Sequence, residues 1–205
     1  MGYFGRLEPS KWAGFHKVSV NGRHPTAYFQ SRRHDGARAS RFGIDPKEWR
    51  TGKSILVAGT SDKGALVDGF QPEQWERSAI AELQKHTDRP IVYRAKPSWL
   101  GAAPIAGATF EHTRDDVLLS LRDCHAVVTH HSNVAVDGLI NGIPAFCVEG
   151  VATPLALWDL ALIESPKTEG DRERWINDIS YCQFDVAEME AGIPWRHLKD
   201  EGLIP

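Results

Sequence analysis

Apolar residues along the chain are grouped in short continuous runs, separated by stretches in which apolar positions recur with helical spacing. The clearest runs lie at residues 54–58, 90–94, 126–129 and 144–148. Such runs are typical of strands buried on both faces. Between the first two, residues 73–86 place apolar side chains on one face of a predicted helix. Alternation of this kind predicts an α/β fold, a Rossmann-like parallel sheet with helices on both faces.

Weaker patterns complete the predicted order of elements. They indicate an edge strand at 109–111, helices at 114–123 and 134–141, a helical piece at 155–162, and tail helices at 172–182 and 185–191. Before residue 54 we expect two extended pieces, at 15–20 and 24–29, the second because Pro25 disfavours helix in the residue before it. The predicted division is a basic N-terminal arm with short strands over residues 1–53 and a Rossmann-like domain with C-terminal helices over residues 54–205.

Composition limits the class of protein. The 205 residues are 41% hydrophobic and 25% charged, which fits a folded domain with an arm and excludes disorder of the whole chain. No apolar run approaches the ~18 residues that a membrane span needs, and the N-terminus lacks a signal-peptide pattern. We therefore expect a cytoplasmic protein with no membrane span. The three cysteines are far apart, which excludes a disulfide framework and a zinc site of the CxxC type.

Charge is distributed unevenly. Residues 1–53 hold 11 Lys/Arg and 4 Asp/Glu, a net charge of +7 against −3 for the whole chain. One interpretation is that the arm binds something anionic. The other is that it lies against acidic groups of the protein itself. The candidate anion-binding residues are Arg32, Arg33, Arg38 and Arg41.

Ligands of parallel sheets bind beyond the carboxyl ends of the strands, so the loops that follow the strands hold the candidate site. The first loop, residues 59–64, is rich in small and hydroxyl residues. Its backbone N–H groups are candidates for binding a phosphate, although it matches neither a P-loop nor GxGxxG. A plain structural turn is the alternative. The donor-binding candidates of this loop are Gly59, Thr60, Ser61 and Lys63.

Two later loops add candidates. Arg94 and Lys96 stand two apart at a strand end, so both point the same way, and a diphosphate would relieve their repulsion. A salt bridge to acidic residues is the alternative. Ser132 and Asn133 are natural helix caps that could hold a phosphate or a sugar hydroxyl. Glu149, after the last strand, is a candidate for gripping a ribose or a base edge.

The catalytic candidates are His130, His131 and, more weakly, Asp137. Imidazoles act as acids and bases near neutral pH. Asp137 could equally hydrogen-bond back to the helix cap or remain in solvent. We predict no metal site, because the sequence shows no carboxylate or cysteine at ligand spacing from the two histidines.

Two stretches carry a family resemblance. They are residues 75–97, WERSAIAELQKHTDRPIVYRAKP, and residues 126–148, AVVTHHSNVAVDGLINGIPAFCV. Together they resemble the nucleotide-sugar-binding half of GT-B glycosyltransferases, in particular capsular polysaccharide biosynthesis proteins of the Kdo-transferase-like type and glycosyltransferase-like proteins of phages. In this resemblance Lys96-Pro97 replaces the His-Pro pair that contacts the donor phosphate, and Ser132 and Asn133 match the hydroxyl-rich turn.

The resemblance implies a metal-independent transferase without a cofactor, which moves a sugar from a nucleotide sugar to an anionic acceptor, either a glycan or hydroxymethylated phage DNA. Only about 50 residues precede the donor-like domain, too few for a second Rossmann fold. The resemblance therefore also implies a homodimer or a partner subunit. Two alternatives stay open: a non-catalytic nucleotide-binding subunit, and a nucleic-acid-binding protein that acts through its basic arm.

Overall fold

The structure is a computed structural model that describes residues 2–4, 15–26 and 33–205. By its internal contacts the chain divides into two compact units. One contains residues Pro46–Gly170, and we call it the sheet unit. The other, the terminal unit, combines Met1–Asp45 with Asp171–Pro205. This grouping differs from the predicted division at residue 53, because the C-terminal helices belong with the N-terminal segment.

The described strands are, in chain order, β1 His16–Lys17, β2 Ser54–Ala58, β3 Ile91–Arg94, β4 Thr109–Glu111, β5 Cys124–Thr129, β6 Ala145–Cys147 and β7 Gln183–Phe184. The described α-helices are α1 Asp62–Val67, α2 Gln74–Leu83, α3 Val117–Ser120, α4 Val134–Ile140, α5 Arg172–Ser180, α6 Val186–Glu190 and α7 Ile193–Asp200. Short 3-10 helices lie at Ala39–Phe42 and Leu160–Leu162.

The sheet unit contains a five-stranded sheet in the order β4-β3-β2-β5-β6, and all its strand pairs are parallel. The predicted α/β, Rossmann-like class is therefore confirmed. The register places Ala58 beside Arg94 on one side and beside Thr129 on the other. The carboxyl ends of β2, β3 and β5 consequently lie at one edge of the sheet, as the sequence predicted.

Apolar side chains alternate between the two faces of the sheet. Ile55 and Val57 pack with Ile80 and Leu83 of α2 on one face. On the other face Leu56 belongs to a second buried cluster, which includes Val117 of α3. Helices thus cover both faces, and this is why the central strands are continuous apolar runs. Among the described residues no helix has the length and apolar character required to cross a membrane.

Several predicted elements are shorter than expected. The helix predicted at 114–123 is only α3, and the piece at 155–162 is a single 3-10 turn. Among the described residues before position 54, only His16–Lys17 form a strand. Thr26 is helical rather than extended, because a proline such as Pro25 is also tolerated where a helix begins. Residues 27–29 lie outside the described part of the chain.

Cys124, Cys147 and Cys182 are buried free thiols. Burial raises the pKa of Cys124 to about 11 and that of Cys147 to about 12. Thiols of this kind are packing residues rather than nucleophiles.

The terminal unit is organised around Arg38. The guanidinium donates to both carboxylate oxygens of Glu188, at 2.6 and 2.8 Å, and to the carbonyls of Ser180 and Gln183, at 2.6 Å each. It also lies over the ring of Phe184, 4.3 Å from the centroid. One arginine thus joins the N-terminal segment to three positions on the C-terminal helices and strand.

Glu188 is the acidic partner in this arrangement. Burial alone would raise its pKa, but hydrogen bonds from Arg38, the Asp185 backbone and Arg41 outweigh that effect and lower the pKa to about 2. Because the folded-state pKa lies below the ordinary value of 4.5, the stabilisation is present above pH 4.5 and is lost as the pH falls toward 2.

Replacing the carboxylate removes this dependence. Glu188→Gln leaves the buried guanidinium of Arg38 without its counter-charge, which costs about 3 kcal/mol of unfolding free energy at pH 7. Denaturant unfolding of the full chain is measured at pH 7 and at pH 3. The unfolding free energy should fall less on acidification for Glu188→Gln than for the wild type. Glu190→Gln, at an exposed position on the same helix, is the matched control. A wild-type acid response in Glu188→Gln would show that the pair does not stabilise the fold.

Candidate functional site

Three loops meet at the carboxyl edge of the sheet. They are the segment after β2 with α1, the turn between β5 and α4, and the loop after β6. The carbonyl of His130 accepts hydrogen bonds from the backbone N–H groups of Val148 and Glu149, at 3.1 and 2.9 Å. Gly150 has φ of 115° and passes beside the backbone of His131. A φ in this range favours glycine, and the two hydrogen bonds to His130 hold the loop after β6 against the histidine turn.

The turn after β5 is fixed by Thr129, which is fully buried. Its hydroxyl donates to the carbonyl of Ala58 on β2, at 3.1 Å, and accepts from the backbone N–H of Ser132, also at 3.1 Å. A hydroxyl that both donates and accepts ties the end of β5 to β2 and to the start of the turn. The two histidines between these points therefore have a defined backbone position.

The side chains of His130 and His131 converge on one carboxylate, that of Asp68. The two Nδ1 atoms lie 3.0 Å apart, and they lie 3.4 Å (His130) and 3.2 Å (His131) from Asp68 Oδ2. Asp68 directly follows α1, the helix after β2. Neighbouring side chains of an extended segment point to opposite sides, so only one of the two rings would be expected at this carboxylate. The structure instead brings both rings onto the same point.

Aromatic rings shield this cluster. Phe70 and Trp75 both contact the ring of His130 edge-on, at centroid distances of 5.5 and 5.7 Å. The side chains of Asp68 and His130 are 6% and 10% exposed, whereas that of His131 is 22% exposed. The cluster is thus open to solvent mainly on the His131 side. We call Asp68, His130 and His131 the edge cluster.

The loop at residues 59–64 is largely committed to internal contacts. Thr60 donates both its backbone N–H and its hydroxyl to Glu76 Oε1, at 2.6 and 2.8 Å. Ser61 caps α1 by accepting from the N–H of Gly64. Gly59 donates its N–H to the carbonyl of Arg94. The alternative of a structural turn therefore describes Gly59, Thr60 and Ser61, whereas Lys63 is exposed.

Arg94 and Lys96 have different environments. The Arg94 guanidinium is buried and donates to Glu111 on β4, to the Ser120 hydroxyl and to the carbonyl of Asp115. This is the salt bridge to an acidic residue that the sequence left open as the alternative to a diphosphate. The prediction that Arg94 holds the donor phosphate therefore needs correction, because its donors are used within the fold. Lys96 is exposed and stays a prediction.

The remaining candidates of the sheet unit lie on the loops of the edge. Asn133 occupies the cap position of α4 without a side-chain capping bond, and the Ser132 hydroxyl accepts from the N–H of Val134 at 3.3 Å. Asp137 lies in the first turn of α4 and Glu149 on the loop after β6, both partly buried. Their predicted roles toward a donor stay predictions.

The predicted acceptor site on the arm is reduced by the structure. Arg38 is buried against Glu188, and Arg41 donates to the same carboxylate at 2.6 Å. These two arginines meet an acidic group of the protein itself, which was the second interpretation of the charge asymmetry. Arg33 is exposed, and Arg32 lies outside the described residues. The prediction that Arg38 binds an external anion is therefore corrected, since its guanidinium is already occupied.

Asp68 is the residue of the edge cluster that sequence reasoning missed. It stands 62 positions before His130, and no spacing rule connects the two. The available signal was topological, because Asp68 ends the helix after β2 and β2 is the neighbour of β5 in the sheet.

Comparison with known proteins supplies no assigned family. No family model matches the chain, and no curated protein matches it. Among solved structures, Thermosulfurimonas dismutans KpsC, beta Kdo 2,7 transferase, is similar with a TM-score of 0.49 and 14% identity, over 79% of this chain and 58% of that one. Thermosulfurimonas dismutans KpsC, beta Kdo 2,4 transferase, is similar with a TM-score of 0.46 and 13% identity, over 70% of this chain and 50% of that one. The chain thus spans about half the length of these structures.

The environment of Arg94 generates a prediction about stability. Arg94→Ala leaves Glu111 and the Ser120 hydroxyl without their buried donor, which costs about 3 kcal/mol of unfolding free energy. Arg89→Ala is a control, since Arg89 makes a more exposed ion pair with Glu164 in the same unit, and such pairs contribute about 1 kcal/mol or less. Denaturant unfolding measures both. Equal, small losses would show that the Arg94 pair is not structural.

Proposed function

We propose that the protein is a glycosyltransferase that binds a nucleotide sugar at the carboxyl edge of its parallel sheet and transfers the sugar to an acceptor hydroxyl. The observation that supports this proposal is the edge cluster. A carboxylate and two imidazoles converge within 3.4 Å at the place where parallel sheets bind their ligands. Burying polar groups costs free energy unless they are paired, and a carboxylate with two imidazoles at such an edge is a candidate set of acid and base groups for group transfer.

The donor would lie across the loops of this edge. Lys63, in the first turn of α1, and Lys96, on the loop after β3, are exposed cations. In the proposed complex they contact the diphosphate of the nucleotide sugar as point charges. Ser132 and Asn133, on the turn after β5, and Glu149, after β6, are the polar groups proposed for the sugar and ribose hydroxyls.

The acceptor we propose is an anionic glycan. The net charge of +7 in residues 1–53 supports an anionic acceptor, and Arg33 is an exposed arginine of that segment. The contacts of Arg38 and Arg41 with Glu188 leave less positive charge for a long polyanion than the sequence suggested. Hydroxymethylated DNA therefore enters the experiment as a second acceptor rather than as the expected one.

The proposal is tested first on the donor. Calorimetric titrations with UDP, GDP, ADP, dTDP, CMP and their sugars should identify one nucleotide class that binds the wild-type protein. Lys96→Ala should weaken that binding about tenfold to 100-fold, the effect of losing a charge-assisted hydrogen bond of about 1.5–3 kcal/mol.

The matched control is Lys85→Ala, which removes an exposed lysine that pairs with Glu82 on α2. It should bind the nucleotide like the wild type. Turnover is then followed as release of the free nucleotide in the presence of anionic glycans or hydroxymethylated DNA. If no nucleotide or nucleotide sugar binds the wild-type protein, the proposed function is wrong.

A further inference from the structure

We propose that the edge cluster is a binding site for one divalent first-row transition-metal ion such as Zn²⁺, with Asp68 Oδ2 and the Nδ1 atoms of His130 and His131 as ligands. The three distances between these atoms are 3.0, 3.2 and 3.4 Å. Two ligands about 2.0–2.1 Å from one ion lie about 3.3 Å apart in tetrahedral directions and about 2.9 Å apart in neighbouring octahedral directions. The triangle formed by the three atoms therefore has the size of one face of the coordination polyhedron around such an ion.

Hydrogen bonding alone does not explain this triangle. With the carboxylate ionised, a proton on one Nδ1 leaves the other Nδ1 and Asp68 Oδ2 as two acceptors 3.2 or 3.4 Å apart. Protons on both Nδ1 atoms would place two donors 3.0 Å from each other. With the carboxylate ionised, every placement of protons on the imidazoles therefore leaves at least one contact between two donors or two acceptors among the three atoms. A cation at the centre attracts all three lone pairs at once.

The donor set also fits the chemistry of such an ion. Imidazole nitrogen is a favoured ligand of Zn²⁺ and related ions, and one carboxylate with two histidines is a ligand set that leaves coordination positions open. The histidine turn is held rigidly by Thr129 and by the loop after β6, so the ligands are positioned before an ion arrives. His131, the more exposed ligand, marks the side on which an open position would face solvent.

A cation here would add to the positive charge that Lys63 and Lys96 bring to this edge. The guanidinium of Arg94 is used by Glu111, and the N–H and hydroxyl of Thr60 are used by Glu76. Asp62 adds a negative charge at the start of α1. We therefore assign the open position of the ion to a diphosphate oxygen of the donor, which departs from the metal-independent transfer that the family resemblance implied. This assignment rests on the proposed function, whereas the ion site rests on the geometry of three atoms alone.

The ion site is tested on the full chain after removal of metal with a chelator. Zn²⁺ is titrated calorimetrically, and Co²⁺ by its visible absorption. We expect one equivalent of ion to bind the wild type. Each of three substitutions should raise the dissociation constant at least tenfold: Asp68→Asn, His130→Ala and His131→Ala. His112→Ala, at an exposed histidine, is the matched control and should bind like the wild type. Wild-type binding only at millimolar ion, or binding unchanged in all three variants, would overturn the site.

A second measurement needs no variant and so does not depend on variant folding. In ¹⁵N NMR of the metal-free wild type, one equivalent of Zn²⁺ should shift the Nδ1 resonances of two of the nine histidines. Shifts confined to Nε2 atoms, or spread over many imidazoles, would contradict Nδ1 ligation by this pair.

The role of the ion is separated from the proposed function by a nucleotide titration with and without Zn²⁺. We expect Zn²⁺ to tighten binding of the nucleoside diphosphate at least tenfold and to leave the nucleoside unaffected. Equal diphosphate binding in both states would overturn the role of the ion while the proposed function stands. Zn²⁺ binding as expected with no nucleotide bound in either state would leave the ion site standing and remove both the role and the proposed function.

Discussion

The structure depends on the burial of strand β5. It is hydrogen-bonded on both sides, to β2 and to β6, and every residue from Cys124 to Thr129 is buried. A strand so enclosed must satisfy its peptide groups through its neighbours and has little room for unpaired polar side chains. Polar side chains that are available to a ligand are therefore expected where the strand ends. At this end the chain has His130 and His131 in succession.

Three buried charged groups among the described residues are likewise paired within the fold. Arg94 meets Glu111, Arg38 meets Glu188, and Glu76 accepts two hydrogen bonds from Thr60. A buried charge without a partner would cost several kcal/mol, so these groups are committed to holding the fold. At the carboxyl edge the consequence is chemical: the side chains that could neutralise an anionic ligand are few. A bound cation would fill that role.

The sheet could be predicted from the sequence because its strands are apolar on both faces. The runs at 54–58, 90–94, 126–129 and 144–148 correspond to β2, β3, β5 and β6, and the edge strand at 109–111 was predicted at its observed bounds. Local patterns of this kind report directly on burial. The helix α1 was missed because Lys63 and Gly64 interrupt its short apolar face. The joining of the N-terminal and C-terminal segments was missed because it rests on pairs that are far apart in the sequence, such as β1 with β7 and Arg38 with Glu188, which are 150 residues apart.

The location of the candidate site could be predicted from the sequence, but the partners of its polar side chains could not. Strand ends can be read from sequence, so His130, His131 and the neighbouring loops were placed at the correct edge. Whether a polar side chain there faces a ligand or an internal partner depends on long-range pairing, which the sequence of one chain does not show. Arg94 was therefore assigned to a phosphate although Glu111 takes its guanidinium, and Asp68 was not connected with the histidines at all.

The most direct test is the position of a metal ion in crystals grown with Zn²⁺ and a nucleoside diphosphate, located by anomalous scattering at the zinc absorption edge. We predict one strong peak about 2.0–2.2 Å from Asp68 Oδ2 and from both Nδ1 atoms, with a diphosphate oxygen in an open coordination position. A map with no peak at the edge cluster, with the zinc on exposed histidines and the nucleotide elsewhere, would contradict the account.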